Sequence, residues 1–185
     1  MANNQQERLK KYINDIYQIA DFLQRTFINK EVVYKTKHVE ISIYFRKSNF
    51  MHLCGIKYKE GAKAFFESAL SKSIDLSKVE VKDDGTTFIK LKLLKYIPLI
   101  ITDNATLSTE HSLYLHLSFD AAIKAKQNKN QFAITLINDN AKFIPNSLLN
   151  TSKINQFPVG DKIIEIYSLD YHSKEKYYYY LVSSN

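Results

Sequence analysis

One short stretch of the chain, residues 46–56, combines residue types suited to acid–base and phosphate chemistry. It contains two adjacent cations, Arg46 and Lys47, the amide of Asn49 and the imidazole of His52. Histidine exchanges protons near neutral pH, because the ordinary pKa of its imidazole is about 6.5. Cations and amides bind and stabilise charged phosphate oxygens. The stretch is therefore a candidate functional site, with a packing histidine as the alternative for His52.

The residues that precede this stretch predict the strand that positions it. From 38 to 46, apolar residues alternate with polar or amphipathic ones, which is typical of a strand with one buried face. The apolar set is Val39, Ile41, Ile43 and Phe45, and the other set is His38, Glu40, Ser42, Tyr44 and Arg46. After the strand, near-helical spacing of Phe50, Leu53 and Ile56 predicts a turn of helix against the core.

A second alternating segment, residues 112–119, predicts another strand with one polar face. Its polar positions include Tyr114 and His116. Polar faces of this kind can carry side chains for stacking, hydrogen bonding and proton transfer. Tyr44 and Tyr114 are accordingly candidates for stacking or proton transfer.

The first two thirds of the chain also contain helical patterns. Residues 5–27 show the spacing of an amphipathic helix, and residues 61–73 predict a second one. Residues 86–101 fit a helix that Pro98 ends or kinks, with a strand at its start as the alternative. Residues 121–127 are expected to form one or two helical turns.

The C-terminal part is predicted to be mainly β. Residues 132–138 and 142–144 are expected as strands joined by a turn, and Pro145 to Ser147 is expected to stop the second strand. A hairpin is predicted around residues 170–173, where the tyrosines at 177–180 pack in the core or stack on bases. Helices followed by a run of strands predict an α+β fold with an antiparallel sheet.

Composition limits the class of protein. The 185 residues predict one domain, and the formal net charge of +7 favours a polyanionic partner or reflects a lysine-rich composition. One cysteine excludes an internal disulfide, and no apolar run approaches the roughly 18 residues of a membrane span. The N-terminus lacks the apolar region of a secretory signal, so we expect a cytoplasmic protein with no membrane partner.

Several chemistries are disfavoured by missing motifs. The chain has no Gly-rich phosphate loop and no G-x-S-x-G elbow, and its five histidines are not at metal-ligand spacing. We therefore expect no cofactor and no metal site. A metal-free ribonuclease needs only a base for the ribose 2′-OH, an acid for the leaving 5′-oxygen, and cations or amides for the phosphorane. The candidate residues supply all of these types.

Short motifs spread over residues 31–150 resemble one known family, the fourth group of phage-borne Barnase–EndoU–colicin E5/D–RelE-like nuclease domains. The motifs are Phe50-x-His52-Leu53-x-Gly55-Ile56, Phe65-Phe66, Gly85-Thr86-Thr87, Lys90-Leu91 and Pro145-Asn146-Ser147-Leu148-Leu149. The resemblance implies an α+β ribonuclease fold in which N-terminal helices pack on a small antiparallel sheet. Together with the helix and hairpin patterns above, it divides the single domain (1–185) into an N-terminal helix (1–28), a nuclease-like core (31–150) and a C-terminal β-hairpin (160–183).

The resemblance also implies roles for individual residues. His52 matches the family histidine, Lys90 its lysine, and Ser147 the serine of its Pro-x-Ser turn. We expect His52, Lys90, Ser147 and Arg46 to be catalytic. The residues expected to bind RNA are Lys47, Asn49, Tyr44, Tyr114, His116 and Asn146.

Two functions from different classes follow. The first is a metal-independent endoribonuclease of a phage or mobile element, active in the cytoplasm of the host bacterium. Related domains occur among phage anti-CRISPR proteins, so the resemblance allows an action on the guide RNA of a type II effector. The second is a non-enzymatic inhibitor that binds a nucleic-acid-handling host protein or its RNA.

Overall fold

A nine-stranded sheet with helices packed against it forms the framework of the chain. The structure is a computed structural model, and it describes residues 2–110, 112–114, 117–154 and 157–182. The helices are α1 (Ala2–Lys10), α2 (Ile13–Thr26), α3 (Asn49–Cys54), α4 (Ala62–Leu70) and α5 (Thr86–Leu93), with 3₁₀ helices at Leu76–Lys78 and Leu94–Ile101. The mixed α+β class expected from the sequence is confirmed.

Thirteen strands follow one another along the described chain. They are β1 (Lys30–Lys35), β2 (Glu40–Tyr44), β3 (Ile56–Tyr58), β4 (Val79–Val81), β5 (Ala105–Ser108), β6 (Ser112–Tyr114), β7 (Leu117–Phe119), β8 (Ala121–Gln127), β9 (Asn130–Asp139), β10 (Lys142–Asn150), β11 (Asp161–Lys162), β12 (Glu165–Asp170) and β13 (Lys176–Leu181). The large sheet has the order β11-β5-β8-β9-β10-β2-β1-β12-β13, and β3–β4 and β6–β7 form two separate pairs.

The large sheet is antiparallel except where β2 and β10 meet. These two strands run parallel and pair only through Ile43 and Phe143. The expected small antiparallel sheet is therefore wrong in size, because the C-terminal strands and residues 121–127 add to one continuous sheet. Beyond Phe143, α3 and α5 pack against β10. That region holds most of the candidate site.

The N-terminal segment is two helices instead of the single helix predicted at 5–27. The chain makes a tight turn at Lys11 and Tyr12, where the Tyr12 N–H donates to the Leu9 carbonyl at 2.9 Å. Helix α2 then packs against α4 and the 3₁₀ helix at Leu94–Ile101. The N-terminal helices therefore join a helical layer, and they do not simply cover a small sheet.

Two local predictions fail in the sheet. Residues 121–127 form strand β8, which pairs with both β5 and β9, where helical turns were expected. The segment from Pro145 to Ser147 does not stop β10. The register against β9 shifts there, so Asn146 is the extra residue of a β-bulge and the strand continues to Asn150.

The alternation predicted around β2 is confirmed. Ile41, Ile43 and Phe45 are buried, whereas Tyr44 is only half-buried and Arg46 is exposed. Strands β12 and β13 pair antiparallel as the hairpin expected around residues 170–173. In the tyrosine run of β13, Tyr177 is mostly exposed, whereas Tyr179 donates its hydroxyl to the Thr26 carbonyl at 3.1 Å.

Candidate active site

Helix α3 presents His52 at the surface because its other face is apolar. Phe50, Leu53 and Cys54 are buried in the core, and His52 is exposed. The helix ends at Gly55, whose φ of 68° is a left-handed conformation that glycine adopts without a steric penalty. The packing alternative for His52 therefore does not describe this site.

The start of α3 is fixed to β10 by one side-chain amide. Asn49 accepts a hydrogen bond from the Arg46 N–H at 2.7 Å and donates one to the Pro145 carbonyl at 3.0 Å. Pro145 precedes the bulged residue Asn146. Asn49 therefore connects the helix that carries His52 to the strand segment that carries Asn146.

The end of α3 is fixed to α5 and to the same bulge by two further side chains. The Thr87 hydroxyl donates to the Gly55 carbonyl at 2.5 Å. The Lys90 ammonium donates to the Ser147 hydroxyl at 2.8 Å and to the His52 carbonyl at 3.1 Å. The ammonium of Lys90 thus contacts two residues that lie 38 and 57 positions away from it in the sequence.

Gly55 makes room for Lys90. A Cβ atom at position 55 would lie 2.7 Å from Cδ of Lys90, closer than real Cβ contacts. The hydrocarbon part of Lys90 therefore crosses directly over the glycine. Burial, followed by the charge of Lys82, lowers the pKa of Lys90 to about 8, although Cys54 and Asp84 oppose the shift. Lys90 consequently changes charge close to physiological pH.

A cavity of about 460 Å³ opens beside His52. Its walls are formed by α3, the end of β9 and the beginning of β10, and its lining residues are Asn49, His52, Ile137, Asn138, Asp139, Ile144, Pro145 and Asn146. The imidazole of His52 thus shares a cavity with a carboxylate and several amides. We call it the His52 cavity.

A neighbouring cavity of about 570 Å³ lies on the other side of Ile144, which lines both. Its lining includes Tyr44, Tyr171 and several cations, and we call it the Tyr171 cavity. The Arg46 guanidinium, which lines it, lies 3.6 Å from the Asp139 carboxylate of the His52 cavity. The cation of one cavity therefore contacts the anion of the other.

The structure groups the candidates from the sequence into three sets. Asn49, His52 and Asn146 line the His52 cavity, and Tyr44, Arg46 and Lys47 line the Tyr171 cavity. Lys90 and Ser147 contact each other. Among the described residues that line the two cavities, neither of them appears. Ser147 is only 8% exposed.

Two candidates from the sequence are not brought to these cavities. The backbone of Tyr114 ends β6, which pairs with β7 outside the nine-stranded sheet. His116 lies outside the described residues. Their expected part in RNA binding therefore stays a prediction.

The environment of Tyr44 favours stacking over proton transfer. Burial, followed by the hydrogen bond and the charge of Glu31, raises the pKa of its phenol to about 12. A phenol with this pKa stays neutral at physiological pH and is a poor general base. Its ring lies nearly parallel to that of Tyr171, with an interplanar angle of 18°.

Sequence reasoning missed several residues of these cavities. The sequence pattern marks Asp139 only as a turn residue, and Lys63, Lys142 and Tyr171 carry no local pattern that separates them from ordinary surface residues. Asp139 is the last residue of the long strand β9, so its position at a strand end is the one signal that could have drawn attention to it.

Metal-binding and membrane-spanning features are both missing from the part of the chain that the structure describes. No group of three His, Cys, Asp or Glu side chains comes together there as a metal site. No described helix is long and apolar enough to cross a bilayer.

Comparison with known proteins gives one match. No curated protein and no solved structure matches the chain. The model of the family described as phage-Barnase-EndoU-ColicinE5/D-RelE like nuclease4 matches residues 15–181. This match extends beyond residues 31–150, where the motifs resemble the family, and includes both cavities. The chain therefore belongs to the phage-Barnase-EndoU-ColicinE5/D-RelE like nuclease4 family.

Proposed function

We propose that this nuclease-family protein is a metal-independent endoribonuclease of a phage or mobile element, with its active site in the His52 cavity. The observation that carries the proposal is the exposed imidazole of His52 in a cavity that also contains the Asp139 carboxylate. These are two proton-exchanging groups beside amides and a cation. Cleavage of RNA without a metal requires this set of groups.

The proposed reaction uses the ribose 2′-OH as the nucleophile. The Asp139 carboxylate, which is paired with Arg46, is proposed to accept the 2′-OH proton while the oxygen forms a bond to phosphorus. His52, as an imidazolium, then donates a proton to the 5′-oxygen as its bond to phosphorus breaks. The products are a 2′,3′-cyclic phosphate and a free 5′-OH, so no water or cofactor is consumed.

The negative charge of the phosphorane needs stabilising groups, and several candidates lie close to His52. Arg46 is proposed to provide positive charge at the boundary of the two cavities, while Asn49 and Asn146 provide amide hydrogen bonds. Lys47 is proposed to contact a flanking phosphate. Lys90 and Ser147 are proposed to act as positioning residues. The Lys90 ammonium, bonded to Ser147, holds the backbone of His52 in place and adds positive charge near the site.

The test is incubation of single-stranded RNA and DNA of matched sequence with the protein in EDTA. We expect cleavage of the RNA alone, with 2′,3′-cyclic phosphate ends. Cleavage of DNA, or cleavage that requires added Mg²⁺, would contradict the proposal. Equal cleavage of RNA with 2′-O-methyl riboses would also contradict it, since that substrate lacks the nucleophile.

The target within the host is a further part of the proposal. We propose an RNA of the phage–host conflict in the bacterial cytoplasm, with the guide RNA of a type II effector as a specific candidate. The assay therefore includes such a guide RNA, both free and bound to its effector protein. Tight binding with intact RNA would favour the second function, an inhibitor that occupies the RNA or its protein.

A further inference from the structure

The Tyr171 cavity has the features of a nucleotide-binding subsite. It combines two tyrosine rings with cations from three separate parts of the chain. The cations in its lining are Arg46, Lys47, Lys63 and Lys142. Aromatic rings stack on bases of any sequence, and lysine or arginine side chains bind the phosphates of single-stranded nucleic acid.

The aromatic wall consists of two rings that are held in place by their surroundings. The centroids of Tyr44 and Tyr171 are 6.0 Å apart, and their planes differ by 18°. Tyr171 remains 39% exposed, so one part of its ring is available to a ligand. Its N–H donates to the Asn29 carbonyl at 3.2 Å, which fixes the turn that carries it.

The cations of the cavity differ in how far they are already neutralised. Lys47 lies 2.6 Å from the Glu67 carboxylate, and Arg46 is paired with Asp139. Lys63 and Lys142 have no carboxylate partner within the part of the chain that is described. The Lys142 ammonium lies 4.8 Å from the centre of the Tyr44 ring. A phosphate would therefore find two cations without an ion-pair partner beside the aromatic wall.

The Tyr171 cavity also adjoins the His52 cavity. Ile144 lines both, and the Arg46–Asp139 ion pair connects their walls. In addition, the Arg46 N–H donates to Asn49, which lines the His52 cavity. A ligand that extends from His52 past Ile144 therefore reaches Tyr171.

We infer that the Tyr171 cavity binds the nucleotide next to the cleaved linkage of a single-stranded RNA, with its base on the Tyr44–Tyr171 rings and its phosphate at Lys63 and Lys142. This inference rests on the proposed function, because it takes the RNA strand at His52 as the ligand. Stacking tolerates any base, so the subsite contributes affinity and alignment. It does not select a sequence.

The test is equilibrium binding of a short fluorescent single-stranded RNA with 2′-O-methyl riboses, which the proposed reaction cannot cleave. We expect Tyr171→Ala to weaken binding about 5- to 150-fold, the usual range for removal of one stacking ring. Tyr171→Phe should bind as the wild type does, because it keeps the ring. Tyr177→Ala is the matched control, since Tyr177 is 63% exposed on β13 and belongs to neither cavity.

The cations are tested by the salt dependence of the same binding reaction. Lys63→Met and Lys142→Met should each reduce the slope of log K against log salt by about 0.7, the value for one phosphate of a single strand. Lys153→Met is the control, because Lys153 is exposed just beyond the opposite end of β10. Unfolding curves confirm that each variant is folded.

Three results would overturn the inference. The first is that Tyr171→Ala binds the RNA as tightly as the wild type does. The second is that all three lysine variants have the same salt slope. The third is that the wild type does not bind the RNA at low salt. Failure of the proposed function gives a different result. In that case the wild type leaves unmodified RNA intact, while binding still depends on Tyr171 and Lys142.

Discussion

The ammonium of Lys90 donates a hydrogen bond to the hydroxyl of Ser147 across 2.8 Å, at the bulge where β10 changes its register. The same ammonium also contacts the His52 carbonyl. One partly buried cation therefore fixes the distance between the helix that carries His52 and the strand that carries Asn146. The arrangement of the His52 cavity depends on this contact.

Replacement of Lys90 should change how stability depends on pH. The ordinary pKa of lysine is 10.5, and burial lowers that of Lys90 to about 8. Between these values the unfolded chain keeps the proton and the folded protein does not, so the free energy of unfolding rises with pH across this window. Between pH 8 and 10.5 we expect the free energy of unfolding of the wild type to rise by about 1–3 kcal/mol relative to that of Lys90→Met.

Urea unfolding of wild type and Lys90→Met at pH 7, 8.5 and 10 measures this difference. The other lysines titrate in both proteins, so their effect cancels in the comparison. Lys153→Met serves as a control for the loss of an ordinary exposed lysine. Parallel stability profiles for wild type and Lys90→Met would show that Lys90 keeps an ordinary pKa.

Gly55→Ala should be destabilising for two separable reasons. The new methyl group would meet the Lys90 side chain, and the φ of 68° is unfavourable for alanine. Gly85→Ala is a matched control, since Gly85 has a φ of 78° and no atom within 4 Å of the place that a Cβ would take. We expect a cost of about 1 kcal/mol for Gly85→Ala and about 1 kcal/mol more for Gly55→Ala.

A double-mutant cycle checks the origin of the difference. In a Lys90→Ala background, Gly55→Ala should cost no more than Gly85→Ala, because the colliding side chain is gone. An additive result, with the extra cost unchanged in this background, would show that Lys90 does not constrain position 55.

Asn49→Ala should lower activity through the position of α3. The substitution removes the hydrogen bonds to the Arg46 N–H and the Pro145 carbonyl, and we expect a loss of about 1–2 kcal/mol in the free energy of unfolding. We also expect a lower rate of RNA cleavage at saturating substrate, because Asn49 lines the His52 cavity. Chemical unfolding and single-turnover kinetics measure the two effects. Unchanged values for both would mean that the amide does not hold the helix.

Tyr44→Phe should leave the pH dependence of cleavage unchanged below pH 10, since a phenol with a pKa of about 12 does not titrate in this range. Tyr44→Ala should instead weaken RNA binding, because it removes one ring of the aromatic wall. Rate profiles of the two variants from pH 5 to 10 distinguish stacking from proton transfer. Loss of one limb of the profile in Tyr44→Phe would assign a proton-transfer role to the hydroxyl.

The sequence was sufficient where local pattern and tertiary environment agree. The alternation of Ile41 and Ile43 with Ser42 and Tyr44 matches a strand that is buried on one face. Residues 121–127 show the opposite situation. Their alanines and lysines favour a helix, but Ala121, Ala122, Ile123 and Ala125 are buried between β5 and β9, and the pairing of the strand outweighs the local preference.

The candidate site was found only in part for a similar reason. His52, Asn49 and Arg46 lie in one short stretch, so residue types and spacing were enough to select them. Asp139 and Tyr171 reach the same region through the pairing of distant strands, which no local pattern encodes. The bulge at Asn146 was likewise hidden, because a Pro-Asn-Ser sequence is more typical of a strand end than of a strand that continues.

The most direct test of the account is the single-turnover rate of RNA cleavage in EDTA by wild type, His52→Ala and His38→Ala. His38 is an exposed histidine in the turn before β2 and serves as the control. We expect His52→Ala to be about 10²- to 10⁴-fold slower, with an unchanged unfolding curve, and His38→Ala to match the wild type. Cleavage by folded His52→Ala at the wild-type rate would contradict the central role of His52.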